Sequence, residues 1–281
     1  MNDDIFKRWG IEHLSPSSIN LYIASPLLWI IRYIMKIQSL GSPAMWRGNA
    51  VDKAVGSYFG LHHEEFKPKS ITQVQTQGLK QFDDDVYLAS QKIKEKDKKA
   101  DENTIFERIP VEKFKIEREL LPRYIKTAID HYKNFDQADS YQEKVMYEMK
   151  GLPIPIIGYI DLKYEKDGVV RDIKTSGRSV SALSNSVSRQ LALYGHCTGM
   201  LPLADYIVCN KSKSDVVSLE VANVKASLDE LERGALAIKK LLSISDDIQD
   251  MTSLFVPDFD NFRFSELKDD KEVLSILKGV K

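Results

Sequence analysis

Residues 158–175 read GYIDLKYEKDGVVRDIKT, and this stretch decides the fold. Two runs rich in β-branched residues, 156–163 and 169–175, flank the tripeptide KDG, so they predict a β-hairpin with a tight turn. Folding about that turn brings Asp161 nearly opposite Asp172, where facing Cβ atoms lie about 5 Å apart. The stretch therefore predicts two carboxylates at one place on a sheet.

A lysine adds to this pair of acids. Asp172 and Lys174 share a strand face because side chains alternate, while Ile173 points the other way into apolar packing. Two close carboxylates repel unless a cation lies between them, and Mg²⁺ prefers such oxygen ligands. A water on that ion can act as nucleophile, and a nearby ammonium stabilises charge on a phosphate. The alternative interpretation is an exposed strand with a surface ion pair worth about 0–1 kcal/mol.

The order of these motifs resembles a known family. G-x-x-D is followed by D-I-K-T, and R-Q-L-A-L-Y-G-H lies downstream at residues 189–196, a pattern similar to the PD-(D/E)XK nuclease superfamily and, within it, to the RecB-like and phage exonuclease branch. The resemblance implies that Asp161, Asp172 and Lys174 form a metal-dependent catalytic core. It also implies that the two acids and the Ile173 carbonyl hold Mg²⁺ or Mn²⁺.

The resemblance extends to a substrate-binding helix, expected over residues 182–197. Its Q-x-x-x-Y motif matches Gln190 and Tyr194, which lie at i and i+4 and so on one helix face. In the family this face borders the active site and holds the nucleic acid, with Arg189 beside it. Arg178 follows the second strand in a loop near the expected phosphate path. The alternative is that Gln190 caps a sheet edge and Tyr194 packs in the core.

A third acid is expected from a preceding helix, predicted over residues 45–59. Asp52 follows the motif R-G-N-A-V and matches a position where the family carries histidine or glutamate facing the metal. A carboxylate there still suits Mg²⁺ or Mn²⁺. The alternative is an exposed aspartate on a polar helix face. Glu148, on a strand predicted over residues 144–150, is a further candidate near the metal.

Composition excludes several other classes. The chain has 281 residues, 43% hydrophobic and 29% charged, with a net charge of −1, so any DNA contact needs a local basic groove. Two cysteines cannot form a four-cysteine cluster, and the iron–sulfur positions of related nucleases carry other residues here, so no iron–sulfur cluster is expected. With no visible secretory signal and no apolar run long enough to span a bilayer, we expect a cytoplasmic protein, in the host cytoplasm if phage-encoded.

The expected architecture is an α/β (mixed α+β) fold, a central mixed β-sheet flanked by helices with a restriction-endonuclease-like core. We expect one nuclease domain over residues 1–281, with a helical N-terminal part and insertion to about residue 140. The catalytic sheet core follows to about residue 245, and a tail with phenylalanine packing covers residues 246–281. Long amphipathic helices are predicted at 73–100 and 110–135, and two further strands at 203–210 and 216–221.

These features predict a stand-alone, Mg²⁺- or Mn²⁺-dependent DNA exonuclease acting in recombination, repair or phage DNA metabolism. Two alternatives stay open: a structure-specific endonuclease, and a non-catalytic nucleic-acid-binding protein that retains the fold. The expected partners are DNA and, through the resemblance, a single-strand annealing or recombination protein. Membrane binding is not expected, and an oligomer stays open.

Overall fold

The computed structural model describes residues 5–61, 69–96, 111–259, 264, 267 and 270–278. The helices are α1 Ile5–Arg8, α2 Pro16–Ala24, α3 Pro26–Trp29 with its π-helical continuation Ile30–Ile34, α4 Pro43–Phe59, α5 Ile71–Lys96, α6 Val111–Tyr132, α7 Asn185–Thr198, α8 Val224–Leu242, α9 Ile248–Ser253 and α10 Lys271–Lys278. The strands are β1 Ser140–Tyr147, β2 Ile156–Tyr164, β3 Val169–Ser176, β4 Leu201–Cys209 and β5 Ser214–Glu220.

The described strands form one mixed sheet in the order β1-β2-β3-β4-β5. β1, β2 and β3 are antiparallel neighbours, as are β4 and β5, whereas β3 and β4 are parallel. A parallel pair needs a crossover, and α7 lies in the connection from β3 to β4. This mixed sheet flanked by helices is the predicted fold class.

The β2–β3 hairpin is confirmed, with each strand one residue longer than predicted. Its turn closes with the Gly168 N–H donating to the Glu165 carbonyl at 3.1 Å. Gly168 has a φ of 65°, a left-handed conformation that glycine adopts without a Cβ clash. The turn sequence therefore fixes which residues of the two strands oppose each other.

Helices cover both faces of the sheet. Val170 and Ile173 are an odd number of residues apart and so point to opposite faces, and they belong to different apolar clusters. The Val170 cluster contains residues of α2, α7 and α8, and the Ile173 cluster contains residues of α4, α5 and α6. Asp172 and Lys174 have the parity of Val170 and therefore lie on the α7 side.

The α6 face also holds a buried charge. Asp205 on β4 is 0% exposed, and its carboxylate accepts bonds from Arg171 at 2.9 and 3.0 Å, from Tyr132 at 3.0 Å and from Ser218 at 2.6 Å. The Arg171 guanidinium also stacks on Phe135, 4.3 Å from the ring centroid. Because a buried charge is tolerated only when paired, this network joins α6 to three strands.

Several predicted boundaries differ from those of the structure. β1 begins at Ser140, four residues before the predicted strand, and ends at Tyr147. The predicted helix 73–100 begins at Ile71, and residues 97–100 lie outside the described part of the chain. α9 and α10 have no clear signal in the sequence, because each spans only about two turns.

The tail packs through phenylalanine where it is described, as predicted. Phe264 is buried beside Leu27 and Ile31 of the N-terminal helices, and its ring centroid lies 6.3 Å from that of Phe259. Phe262 lies outside the described residues. Of the helices that the structure describes, none is both long and apolar enough to cross a membrane.

Candidate active site

The two hairpin acids meet where the backbone ladder between β2 and β3 ends. The last registered pair is Leu162 with Arg171, and the next pair in that register is Asp161 with Asp172. Instead of a backbone pairing, Asp161 Oδ2 accepts the N–H of Ile173 at 2.7 Å. The Asp161 carboxylate thus continues the ladder with its side chain, and the spacing argument placed this pair of acids correctly.

Asp172 belongs to a second hydrogen-bonded group. Its side chain is almost fully buried, and Lys174 Nζ lies 2.6 Å from Oδ2. Gln190 on α7 joins the two: its Nε2 donates to Asp172 Oδ1 at 3.1 Å, and its Oε1 accepts from Lys174 at 3.2 Å. Gln190 Nε2 also donates to the Tyr194 hydroxyl at 2.8 Å. The helix face with Gln190 and Tyr194 therefore meets the hairpin acids.

Asp52 and Asp161 are bridged by the side-chain amide of one glutamine, Gln142. Gln142 Nε2 donates to Asp52 Oδ2 at 3.2 Å and to Asp161 Oδ1 at 2.8 Å. The neighbouring Tyr141 donates its hydroxyl proton to Asp52 Oδ2 at 2.9 Å. The structure thus brings the helix acid to the hairpin acids, with Gln142 of β1 between Asp52 and Asp161.

A buried arginine, Arg47, holds α4, the helix that carries Asp52, against α6 and β3. Arg47 forms an ion pair with Glu117 of α6 and donates to the Thr175 carbonyl at 3.2 Å. Its guanidinium lies 4.6 Å from the ring centroid of Tyr124. Since Arg47 is only 4% exposed, this link between α4, α6 and the end of β3 is shielded from solvent.

The charges at this site are strongly coupled. Burial, then the neighbouring charges of Asp172 and Asp52, raise the pKa of Asp161 well above its ordinary value, while Lys174 and the Ile173 N–H oppose the rise. The pKa of Lys174 is also raised: burial alone would lower it, but Asp172 and Asp161 outweigh that effect. A cation among these carboxylates would remove the repulsion.

The donor chemistry fits a hard divalent ion, because the carboxylate oxygens of Asp52, Asp161 and Asp172 lie near one another. Within the described ranges, however, no three His, Cys, Asp or Glu side chains converge as a metal site. Asp52 and Asp161 are bridged by Gln142, and Asp172 is held by Lys174 and Gln190. The residues suited to an ion therefore form two adjacent groups. Each group is held together by its own hydrogen bonds.

The two arginines expected to bind substrate lie in different environments. Arg178 is exposed in the loop after β3. Arg189 is buried, donating to Asn20 Oδ1 at 2.7 Å and to Glu230 Oε2 at 2.8 Å. Its guanidinium joins α7 to α2 and α8, which favours a packing role over the expected contact with nucleic acid.

Sequence reasoning missed Tyr141 and Gln142 because it began the strand at residue 144. It proposed Glu148 instead, which follows the end of β1 and is exposed. The position opposite Asp161 in the β1–β2 register is Gln142, six residues and about 20 Å of strand from Glu148. Extending the strand towards residue 140 and counting the register would have identified Gln142.

Comparison with known proteins identifies the family. A model of the PD-(D/E)XK nuclease superfamily matches residues 13–248, most of the chain. The chain belongs to this superfamily. Its members are usually metal-dependent nucleases, so the nuclease fold implies a DNA substrate and a divalent ion such as Mg²⁺. The matched range contains Asp52, Asp161, Asp172 and Lys174.

Other comparisons add little beyond the superfamily. A search of curated proteins found no match. Among solved structures, the chain resembles the crystal structure of SSO0001 with 15% sequence identity and a TM-score of 0.31, over 52% of this chain and 77% of that one. That similarity is too low to support an inference about fold or function. The superfamily match therefore stands on its own.

Proposed function

We propose that this protein is a stand-alone DNA exonuclease of the RecB-like and phage type, dependent on Mg²⁺ or Mn²⁺. The observation that carries the proposal is the hydrogen-bonded group at the end of the β2–β3 ladder. It joins Asp161 to Asp52 through Gln142, and Asp172 to Lys174 through Gln190. An exposed surface ion pair does not account for half-buried Asp52 and Asp161 meeting beside buried Asp172.

The acids would hold the ion. Asp52, Asp161 and Asp172 would supply carboxylate oxygens, and the carbonyl of Ile173 would be a further ligand, because it points to the same strand edge as the Ile173 N–H that bonds to Asp161. A bound Mg²⁺ or Mn²⁺ would supply a water of lowered pKa as nucleophile and neutralise charge on the phosphate. The raised pKa of Asp161 supports this assignment, because the site favours an added positive charge.

Lys174 would orient the attacking water and stabilise the developing charge. Its pKa is raised, so the side chain stays protonated at neutral pH. The described contacts, to Asp172 and Gln190, use two of the three N–H groups of the ammonium. Gln190 fixes the direction of Lys174, and Tyr194 fixes Gln190.

On the substrate side, we assign a phosphate contact to Arg178. Gln190 on α7 borders the acids, whereas Tyr194 is only 2% exposed, so its predicted substrate role is replaced by that of holding Gln190. Arg178 is exposed and follows directly after β3, whose Asp172 and Lys174 belong to the proposed site. Arg189 is left out, because its guanidinium is held by Asn20 and Glu230.

The test compares two DNA substrates, one end-labelled and linear, the other covalently closed and circular, each with Mg²⁺, Mn²⁺ or a chelator. We expect the linear DNA to be degraded from its ends with either ion and neither DNA to be cut in chelator. Asp172→Asn and Lys174→Ala should abolish cleavage. Asp167→Asn, at the exposed hairpin turn, is the matched control and should retain it.

Other outcomes distinguish the alternatives. Cleavage of closed circles would indicate a structure-specific endonuclease rather than an exonuclease. DNA binding without cleavage under any condition would indicate a non-catalytic binding protein. Activity that survives Asp172→Asn or Lys174→Ala would overturn the assignment of the site.

We also propose that residues 1–281 form one nuclease domain. In support, α4 and α6 pack on the sheet, and Phe264 and Val273 of the tail pack on the N-terminal helices. Limited proteolysis should then release no smaller folded fragment that retains cleavage. A single-strand annealing or recombination protein as partner, and an oligomer, stay predictions for pull-down and light-scattering experiments.

A further inference from the structure

Gln142 has an unusual backbone conformation. Its φ is 53°, and apart from Lys36 no other non-glycine residue in the described ranges has a positive φ. A left-handed residue within a strand is disfavoured for any side chain with a Cβ, and glutamine is not among the residues that tolerate it best. Such strain persists only where the surrounding structure holds it, and it is commonly found at functional sites.

The strain is confined to one position in the ladder. On either side of it, Tyr141 pairs with Leu162 and Glu143 pairs with Ile160, in a constant register. Gln142 falls opposite Asp161 but forms no registered pair with it. The strand thus gives up one backbone pairing, and the Gln142 side chain reaches the Asp161 carboxylate instead.

The side-chain contacts indicate what holds this conformation. A primary amide has two N–H donors, and here Nε2 is shared between Asp52 and Asp161. Ionised carboxylates only accept hydrogen bonds, so the nitrogen of the amide, and not its oxygen, faces the two acids. Bonds of this kind are charge-assisted and strong, which offsets the backbone strain.

We propose that Gln142 is a positioning residue and ligand of the metal-ion site. In the absence of an ion its amide N–H₂ stands between Asp52 and Asp161 in place of a cation, and in the presence of an ion it turns its amide oxygen towards the ion. The terminal torsion of glutamine is broad and roughly two-fold, so this reversal needs no movement of the backbone. The inference rests on the proposed function, since it requires that these acids bind an ion.

The proposal predicts that one substitution, Gln142→Glu, destabilises the metal-free protein and strengthens ion binding. Gln142→Glu keeps the shape of the side chain but puts a third carboxylate between two others. Without an ion the like charges repel, so the protein should unfold at a lower temperature. With an ion the new carboxylate is a stronger ligand than the amide, so the ion should bind more tightly.

The experiment measures ion binding and thermal unfolding rather than cleavage. Mg²⁺ and Mn²⁺ are titrated by calorimetry into metal-free wild type, Gln142→Glu, Gln142→Leu and Gln77→Glu, and each protein is also melted in chelator and in Mg²⁺. Gln77 is an exposed glutamine on α5, so its variant controls for the added charge.

We expect Gln142→Glu to lower the Mg²⁺ dissociation constant about tenfold, to lower the melting temperature in chelator, and to increase the stabilisation by Mg²⁺. Gln142→Leu should also melt lower in chelator, because it removes the bridge between the acids. Gln77→Glu should match wild type.

If wild type binds Mg²⁺ and Gln142→Glu binds it with the same affinity, the inference is overturned and the proposed function is left standing. If wild type binds neither Mg²⁺ nor Mn²⁺, both the inference and the proposed function are overturned. The two failures therefore give different results.

Discussion

Tyr141 donates its hydroxyl proton to Asp52 Oδ2 at 2.9 Å, so the aromatic side chain of β1 fixes the acid of α4. The proton is retained at any ordinary pH, because burial and the charge of Asp52 raise the pKa of Tyr141 well above its usual value. The position of the third acid thus depends on the sheet as well as on its own helix.

We therefore expect Tyr141→Phe to weaken ion binding about tenfold, as loss of a bond to a metal ligand commonly does. Unfolding stability should fall by only about 1 kcal/mol. Cleavage rate as a function of Mg²⁺ concentration, with urea unfolding in chelator, measures the two effects. Tyr147→Phe is the matched control, since Tyr147 lies on the same strand and bonds to Glu232 instead. An equal metal dependence in the two variants would contradict the role of Tyr141.

Gln190 should act through Lys174. Replacing Gln190 with Ala removes the acceptor that directs the ammonium, and a displacement of about 1 Å in a catalytic group can lower a rate about 100-fold. Single-turnover cleavage at saturating Mg²⁺ measures this effect.

Tyr194→Phe should lower the same rate less, because the Tyr194 hydroxyl contacts Gln190 and not Lys174. In the Gln190→Ala background, Tyr194→Phe should have almost no further effect, since the two act in one chain of contacts. Fully additive losses in this cycle would show that Tyr194 has a separate role.

The two arginines make a contrasting pair. Arg178→Ala should weaken DNA binding and reduce the slope of log affinity against log salt by about one, as expected for one lost phosphate contact. Arg189→Ala should leave that slope unchanged but lower unfolding stability by about 1–3 kcal/mol, because Asn20 and Glu230 lose their partner. Fluorescence anisotropy in the inactive Asp172→Asn background and urea unfolding provide the measurements. A reduced salt slope for Arg189→Ala would restore the substrate role predicted from sequence.

Asp205 should make stability depend on pH. Burial alone would raise its pKa, but His131, Ser218 and Arg171 outweigh this effect and the pKa is lowered. A carboxyl group with a lowered pKa in the folded state stabilises the protein fully above its ordinary value of about 3.9, and this stability is lost as the pH falls below that value. Urea unfolding between pH 7 and pH 3 should show the loss.

Asp205→Asn should cost about 3–5 kcal/mol at pH 7, because it leaves Arg171 without its charged partner in a buried site. It should also remove the part of the acid loss that Asp205 causes, while Asp136, Glu143 and Asp215, whose pKa values are lowered too, keep their parts. Asp215→Asn removes an exposed ion pair with Lys213 on the neighbouring strand, so it should alter both the stability at pH 7 and its loss in acid much less. A wild-type unfolding curve that is flat from pH 7 to pH 3 would contradict this account.

The hairpin could be predicted because local chemistry decides it. β-branched runs and the KDG turn fix the register, and the register brings Asp161 to Asp172. α4 begins at Pro43, two residues before the predicted start, although the signal is present in the sequence: Ser42 caps the helix and Pro43 suits its first turn. These elements need no information from distant parts of the chain.

The part of the site that belongs to β1 could not be predicted from the local sequence. The segment from Ser140 to Glu143 is polar because its side chains meet other polar groups of the site and the hairpin, so it lacks the apolar alternation that marks a strand. The left-handed conformation of Gln142 has no local signal, since it depends on two acids distant in sequence. Burial of Arg189 likewise follows from its contacts with α2 and α8. The residue pattern of α7 alone carries no information about those contacts.

The ion pair between Arg47 and Glu117 has a consequence for how this chain can evolve. Glu117 belongs to α6, in the helical part before the sheet, whereas Arg47 lies five residues before the third acid. A descendant that shortened or exchanged α6 would leave a buried guanidinium without its anion and would release the helix that carries Asp52. The insertion is therefore not a freely replaceable module, and substitutions at its Glu117 should be inherited together with substitutions at Arg47.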